Sequence, residues 1–281
     1  MRKYRIPILM CLACAVWVFV YVSYPSGTLA FYALNIGQGD ALFIETPEKY
    51  QAVVDGGPDM RVLSELSRVM PFYDRTIDLM VLSHPQADHM FGLVEILKRY
   101  RVANILMTGV NYQTGLYKEF LKLAQDEDAN IGIAHAGQKI VLGSAELDVL
   151  YPLAPIAGTD AIGDVNDTSL AGLLRFGATS FLFTGDAGIA EEAALVQSGG
   201  SLDIDVLKIS HHGSRTSTTQ LFLERTTPSI AVVSVGEKNS YGHPNPDTLA
   251  RLGNIPLYRT DTQGRVAVIS DGEHISVKTE R

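Results

Sequence analysis

Short stretches of this chain alternate apolar and polar residues, and between them apolar positions recur every three to four residues. The first pattern predicts half-buried strands and the second amphipathic helices. Strands are expected at Leu29–Ile36, Ala41–Glu45, Gln51–Asp55, Asp78–Ser83, Ile105–Thr108, Glu146–Leu150, Ser169–Phe176, Ser180–Thr184, Val206–Ile209, Ile230–Val235, Arg265–Ser270 and His274–Lys278. Helices are expected at Val62–Met70, Met90–Tyr100, Tyr117–Asp126, Ala190–Gln197, Thr219–Arg225 and Asp247–Leu252. No long polar linker or internal repeat interrupts this order, so residues 29–281 read as one α/β domain. Many strands with interspersed helices suggest two packed sheets with helices outside.

One stretch obeys neither period. Ile6 to Tyr24 carries no charge and follows the basic Met1-Arg2-Lys3-Tyr4-Arg5. Its length approaches the ~20 residues that cross a bilayer and exceeds the roughly 7–15 of a signal-peptide core. Trp17, Tyr21 and Tyr24 suit a membrane interface. Residues 1–28 are therefore expected to form a retained transmembrane anchor, with the basic end in the cytoplasm and the bulk of the chain outside it. Signal cleavage after Ala30 is the rival reading, and it exports the same portion. This is the one apolar segment of such length in the sequence.

Composition narrows the chemistry. With 46% hydrophobic and 19% charged residues the chain is globular rather than disordered. A net charge of −8 argues against a protein that coats nucleic acid, because Lys and Arg contacts dominate phosphate binding. Both cysteines, Cys11 and Cys14, lie in the apolar run. The exported portion thus has no thiol for a disulfide or a metal, and His and Asp must supply any ligands.

Four polar clusters follow predicted apolar strands. The first, Ser83-His84-Pro85-Gln86-Ala87-Asp88-His89, places two histidines and an aspartate within six residues on a loop before a helix. Such a loop can aim several ligands at one Zn²⁺, Mn²⁺ or Fe²⁺ ion, although Asp88 as a helix cap is the plainer explanation. The others are Thr184-Gly185-Asp186, Ser210-His211-His212-Gly213-Ser214 and Asn239-Ser240-Tyr241-Gly242-His243-Pro244. Each alone also fits an ordinary turn.

Together with Gly37-Gln38-Gly39-Asp40, Asp55-Gly56-Gly57, Asn166-Asp167-Thr168-Ser169 and Arg259-Thr260-Asp261, these clusters resemble the metallo-β-lactamase superfamily. Within it they are similar to the hydrolase domain of ComEC/Rec2 competence proteins. The resemblance implies an αβ/βα four-layer sandwich and a metal-dependent hydrolase with one or two divalent ions, Zn or Mn. It places His84 in one subsite, Asp88 and His89 in the other, Asp186 between them, and His211 or His212 as the last histidine. Gln86 departs from the family's His or Asp, and His135 stands outside the usual third-motif context, so the His84 subsite is expected to be the poorer. Asp55, Asp40, Gln86 and Asn166 are expected to support the ligands. Asp88, His243, and Ser214 or Thr216 are expected to act on a phosphate or leaving group, with Lys208 and Arg215 offsetting the acidic surface. The implied substrate is DNA or another phosphodiester; another ester or lactone, or a decayed site that only binds, are the alternatives.

Overall fold

The computed structural model describes Met10, residues 26–161 and residues 163–281. The expected transmembrane helix, with Cys11 and Cys14, lies outside the described residues. Among the described residues no helix is long and apolar enough to cross a membrane.

The strands are β1 (Leu29–Ala33), β2 (Leu42–Glu45), β3 (Gln51–Val54), β4 (Thr76–Leu82), β5 (Arg101–Met107), β6 (Asn130–Ile133), β7 (Lys139–Leu142) and β8 (Ala145–Tyr151). They continue with β9 (Ala171–Phe176), β10 (Thr179–Phe183), β11 (Val206–Lys208), β12 (Ile230–Val233), β13 (Leu257–Arg259), β14 (Val266–Ser270) and β15 (Ile275–Thr279). One sheet runs β15-β14-β1-β2-β3-β4-β5-β6 and the other β13-β12-β11-β10-β9-β8-β7. Each has an antiparallel half and a parallel half, the parallel halves being β3 to β6 and β10 to β13.

The period-2 pattern decides which core each side chain enters. Leu42 and Ile44 join the central core between the sheets while Phe43 joins the outer one; Ala52 and Val54 divide from Val53 in the same way. In the second sheet Phe181 and Phe183 face the centre and Leu182 faces out. Phe31 stacks on Phe181 across the centre, with ring centroids 5.3 Å apart. Each such fully buried aromatic contributes roughly 1.5–3 kcal/mol of transfer free energy.

Helices α1 (Arg61–Val69), α2 (Ala87–Leu97) and α3 (Gly115–Asp126) bury Val62, Leu66, Leu93 and Phe120 against the first sheet. Helices α4 (Ile189–Gln197), α5 (Gln220–Thr226) and α6 (Pro246–Leu252) bury Leu195, Phe222 and Leu252 against the second. A short α7 (Thr260–Gln263) follows β13. The layers are helix, sheet, sheet, helix.

The strands absent from the sequence pattern are β6, β7 and β13, all sheet edges. An edge strand is half-solvated, so its pattern is weak: Asn130, Lys139 and Val141 are exposed. Helix α2 also begins earlier than expected, at Ala87, so Asp88 and His89 sit in its first turn rather than in a loop. The sheets meet below the site, where Leu170 N–H donates to Ser83 O at 2.9 Å.

Candidate metal centre

The chain leaves β3 through Asp55, which adopts the left-handed conformation with φ 59°. The next residue must be glycine for a steric reason. A Cβ on Gly56 would lie 2.3 Å from Leu93 N, and one on Gly92 would lie 1.8 Å from Gly56 O. Backbone therefore rests on backbone: Gly56 N–H donates to His89 O at 2.6 Å and Gly92 N–H to Gly57 O at 3.0 Å. This docking fixes the first turn of α2, where the helix N-terminus favours the Asp88 carboxylate.

Asp55 is buried and its carboxylate joins three groups. It accepts from Ser83 N–H at 2.8 Å and Ser83 Oγ at 2.6 Å, and His89 Nδ1 lies 2.8 Å from Oδ2. Since the Ser83 hydroxyl spends its proton on Asp55, its oxygen is free to accept from His84 Nδ1 at 3.0 Å. Ser169 Oγ is 3.3 Å from the same nitrogen and accepts from Asp186 N–H at 3.1 Å.

The second sheet supplies the remaining ligands. Asp186 follows β10 and His212 follows β11. His211 and His212 both have left-handed backbone, with φ 49° and 53°. Two consecutive non-glycine residues in that region store strain. The result is a reversal that buries His212 and leaves His211 at the rim, its side chain 24% exposed. His212 Nδ1 faces Ser234 O at 3.1 Å and Asp40 Oδ1 at 3.3 Å.

All three buried imidazoles therefore turn Nδ1 toward acceptors, which assigns the proton of the neutral ring to that nitrogen and makes Nε2 the ligand atom. The Nε2 atoms of His84, His89 and His212, with Asp186 Oδ1, are buried and have no hydrogen-bond partner. His89 Nε2 approaches Asp186 Oδ1 to 3.2 Å, and His212 Nε2 lies 3.5 Å from both Asp186 Oδ2 and Asp88 Oδ2. Donor atoms of His84, His89 and Asp186 lie within 4.8 Å of one another, as do those of Asp88, His89 and His212. Unsatisfied buried donors at this spacing are costly unless something binds them, and imidazole plus carboxylate is the set that Zn²⁺ or Mn²⁺ accepts. The residues present thus fit a divalent ion. Asp186 turns Oδ1 toward His89 Nε2 and Oδ2 toward His212 Nε2.

The electrostatics show the same demand for positive charge. Burial opposes protonation of His89 and His212, yet Asp186 with Asp55 raises His89 well above the usual range, and Asp186 with Asp40 raises His212 to about 9. Burial likewise opposes ionisation of Asp186, but His212 and His89 hold it well below the carboxylate range. Burial and the neighbouring His89 push His84 down to about 3.

Four expectations need correction or refinement. Lys208 is not a surface cation: it is buried, donating to Asp40 Oδ2 at 2.7 Å and Ile209 O at 3.0 Å. Asn166 bonds to Asp164, and Ser169 from the same motif is the residue that reaches His84 and Asp186. Ser214 Oγ is engaged within its own loop, 3.1 Å from Thr216 Oγ1 and accepting from Thr216 N–H. Gln86 occupies the cap position of α2 through its backbone, with no side-chain capping bond. Arg215 is exposed, and His135 bonds Ala136 O away from the cluster. At the rim, His243 lies 5.8 Å from His211 and 5.8 Å from Tyr241 between ring centroids. Burial, reinforced by His212 and His211, lowers the His243 imidazole below its usual value. Ser83 and Ser169, which act through their hydroxyls, and Ser234, which acts through its backbone carbonyl, were absent from the expected site because groups that support a ligand ring from behind carry no sequence signal of their own.

Comparison with known proteins agrees with this geometry. Curated relatives match the chain at low identity, among them competence protein ComA of Neisseria gonorrhoeae, 28% identical over 87% of this chain and 33% of its own length. ComE operon protein 3 of Bacillus subtilis (strain 168) is 26% identical, over 90% of this chain and 35% of its own length. Recombination protein 2 of Haemophilus influenzae is 28% identical, over 100% of this chain and 34% of its own length. The chain spans about a third of the length of the curated relatives it matches. Among solved structures, the metallo-beta-lactamase fold protein YhfI from Bacillus subtilis superimposes with TM-score 0.54 at 13% identity, covering 83% of this chain and 96% of that one. The model of the Metallo-beta-lactamase superfamily matches residues 34–237, and the chain belongs to that superfamily.

Proposed function

We propose that this chain is a membrane-tethered, metal-dependent phosphodiesterase that cleaves DNA outside the cytoplasm. The convergence of three imidazole Nε2 atoms on Asp186 and Asp88, each ring held from behind by an acceptor, carries the hydrolase reading. A bound divalent ion supplies Lewis acidity toward a phosphoryl oxygen and toward the attacking water. Asp88, His89, His212 and Asp186 would hold one ion in the fuller set, and His84 with Asp186 a second.

The rest of the chemistry belongs to the chain. Asp88 has a 30% exposed side chain, against 2% for Asp186, and is the carboxylate placed to orient the entering water and take its proton. His243 stands at the rim beside His211, where its imidazole can hydrogen-bond a phosphate oxygen of the bound substrate. Resemblance to proteins named for competence and recombination supports DNA as the substrate class. The uncharged run Ile6–Tyr24 supports the tether, and a separate channel protein would then complete an uptake apparatus.

The test compares the detergent-purified full chain on single-stranded DNA and on a chromogenic carboxylic ester, with Mn²⁺ or Zn²⁺ added. Expected is DNA cleavage that chelator abolishes and metal restores. Intact DNA alongside rapid ester cleavage would overturn the nuclease reading. A folded chain that takes up no metal would overturn the hydrolase reading as well.

A further inference from the structure

The end of the first sheet farthest from the metal centre exposes aromatic side chains. Phe72 is 84% exposed, Tyr73 59% and Tyr50 42%. The Phe72 and Tyr73 rings meet edge to face with centroids 5.4 Å apart. All three sit in the connections that lead into β3 and β4, whereas Asp55 and the Ser83-His84 pair leave those same strands at the other end. The seven residues of β4 set the two ends ~23 Å apart.

The chain enters the sandwich at this aromatic end. Ser26 N–H donates to Pro47 O at 3.1 Å, which pins Ser26 to the loop between β2 and β3. That loop continues through Glu48 and Lys49 to Tyr50, and Glu48 and Lys49 line one concavity with Pro71 and Tyr73. Tyr24, the last residue of the uncharged run, precedes Ser26 by two residues. Two residue steps reach at most ~7 Å. If the run ends at the bilayer surface, the face that carries Ser26 has no room to stand away from it.

We propose that Phe72, Tyr73 and Tyr50 form a face that lies in the headgroup region of the bilayer, with the metal centre turned away into the aqueous phase. The inference rests on the tethered reading of Ile6–Tyr24 and adds an orientation to it. Aromatic rings are the side chains that favour this layer, where an apolar body meets lipid and a polar edge meets water. The charges nearby, Glu48, Lys49, Asp74 and Arg75, are of mixed sign, which suits zwitterionic lipid and gives anionic lipid no advantage. In this orientation a polymeric substrate reaches the site from the aqueous side, over the rim formed by His211, His243 and Tyr241.

The experiment uses the full chain in phosphatidylcholine vesicles, with Trp17→Phe removing the single native indole. Phe72→Trp and Tyr73→Trp each place a reporter on the proposed face; Tyr241→Trp places one at the metal end. Phosphatidylcholine brominated on its acyl chains is the quencher. Because Phe72 is exposed, its replacement leaves the core intact, and circular dichroism of each variant checks this. Several-fold stronger quenching at positions 72 and 73 than at 241 is expected. Equal or absent quenching at 72 and 73 in a chain that floats with the vesicles would overturn the orientation and leave the tether standing. A chain that does not float with the vesicles would overturn both.

Discussion

His89 Nδ1 lies 2.8 Å from Asp55 Oδ2, and that one contact fixes the ring's tilt, its tautomer and the direction of its free nitrogen. The carboxylate that makes it also holds Ser83, which in turn accepts from His84 Nδ1. Asp55 therefore orients two ligand rings without touching the ion position. Asp55→Asn is expected to weaken divalent-metal affinity by about 10–100-fold, the usual effect of losing such an outer partner. Competition with a fluorescent chelator measures it, and unchanged affinity would deny Asp55 this role.

His211 and His212 separate by burial. His212 Nε2 lies 3.5 Å from both Asp88 and Asp186, whereas His211 Nε2 stands 3.7 Å from Asp186 alone and is not among the clustered donors. His212→Ala is expected to lose at least one bound ion per chain by elemental analysis. His211→Ala is expected to keep its metal while cleavage slows. The reverse outcome would mean that the left-handed pair delivers the other ring.

In the metal-free protein His89 and His212 keep protons that an incoming ion must displace. His212 is raised from 6.5 to about 9, so metal affinity should climb with pH up to about 9 and level off above it, about tenfold per pH unit for each displaced proton. Stability of the metal-free fold moves oppositely over that window. A raised folded pKa stabilises fully below 6.5, and the contribution disappears as pH rises through about 9. His84, lowered to about 3, refuses below 6.5 a proton that the unfolded chain accepts, so its effect reduces stability as pH falls. Thermal melts in chelator should thus show a maximum near the ordinary imidazole value of 6.5 that shifts upward when metal is added.

The central strands and six helices were legible because their side chains face one core or two, and burial enforces a strict period. Edge strands β6, β7 and β13 were not, since solvent on one side relaxes that period. At the site, His84, Asp88, His89 and Asp186 could be named from strand-ending motifs because ligand chemistry restricts the residue type. The choice between His211 and His212 was not legible, because it turns on backbone dihedrals that two identical neighbours do not reveal. Lys208 was misread as a surface cation for a different reason: a lysine at the end of a short apolar strand looks solvent-seeking until its buried carboxylate partner, 168 residues away, is seen.

That ion pair leads to a stability prediction. Lys208 and Asp40 side chains are 1% and 4% exposed, and the Lys208 ammonium also satisfies Ile209 O. Burial alone would raise the Asp40 carboxyl, and Lys208 with His212 instead holds it well below the usual range. Lys208→Met leaves that buried charge without its ammonium partner and with only the His212 ring beside it, which is expected to cost about 3–5 kcal/mol. The Asp40→Asn, Lys208→Met double variant should recover much of that loss in urea denaturation. Equal destabilisation of the single and double variants would show that packing, rather than the uncompensated charge, sets the cost.

Gln86 carries the last prediction. It directly precedes α2 and its backbone carbonyl accepts from His89 and Met90 N–H, at 3.2 and 2.9 Å, so the helix start does not depend on the side chain. The side chain is half-buried and lies two residues after His84, where a neutral amide oxygen is a weak ligand beside imidazole. The His84 group therefore draws on His89 and Asp186, both also committed to the His212 side. Replacing the amide by imidazole adds an independent donor without disturbing the cap. Gln86→His is expected to raise the metal stoichiometry toward two per chain and to tighten the weaker ion by about tenfold or more, within the range that ligand-shell changes produce. Calorimetric titration with Zn²⁺ reads both quantities. A single unchanged binding step in the variant would show that the His84 group lacks the geometry to hold an ion of its own, and that one ion shared through Asp186 serves the whole centre.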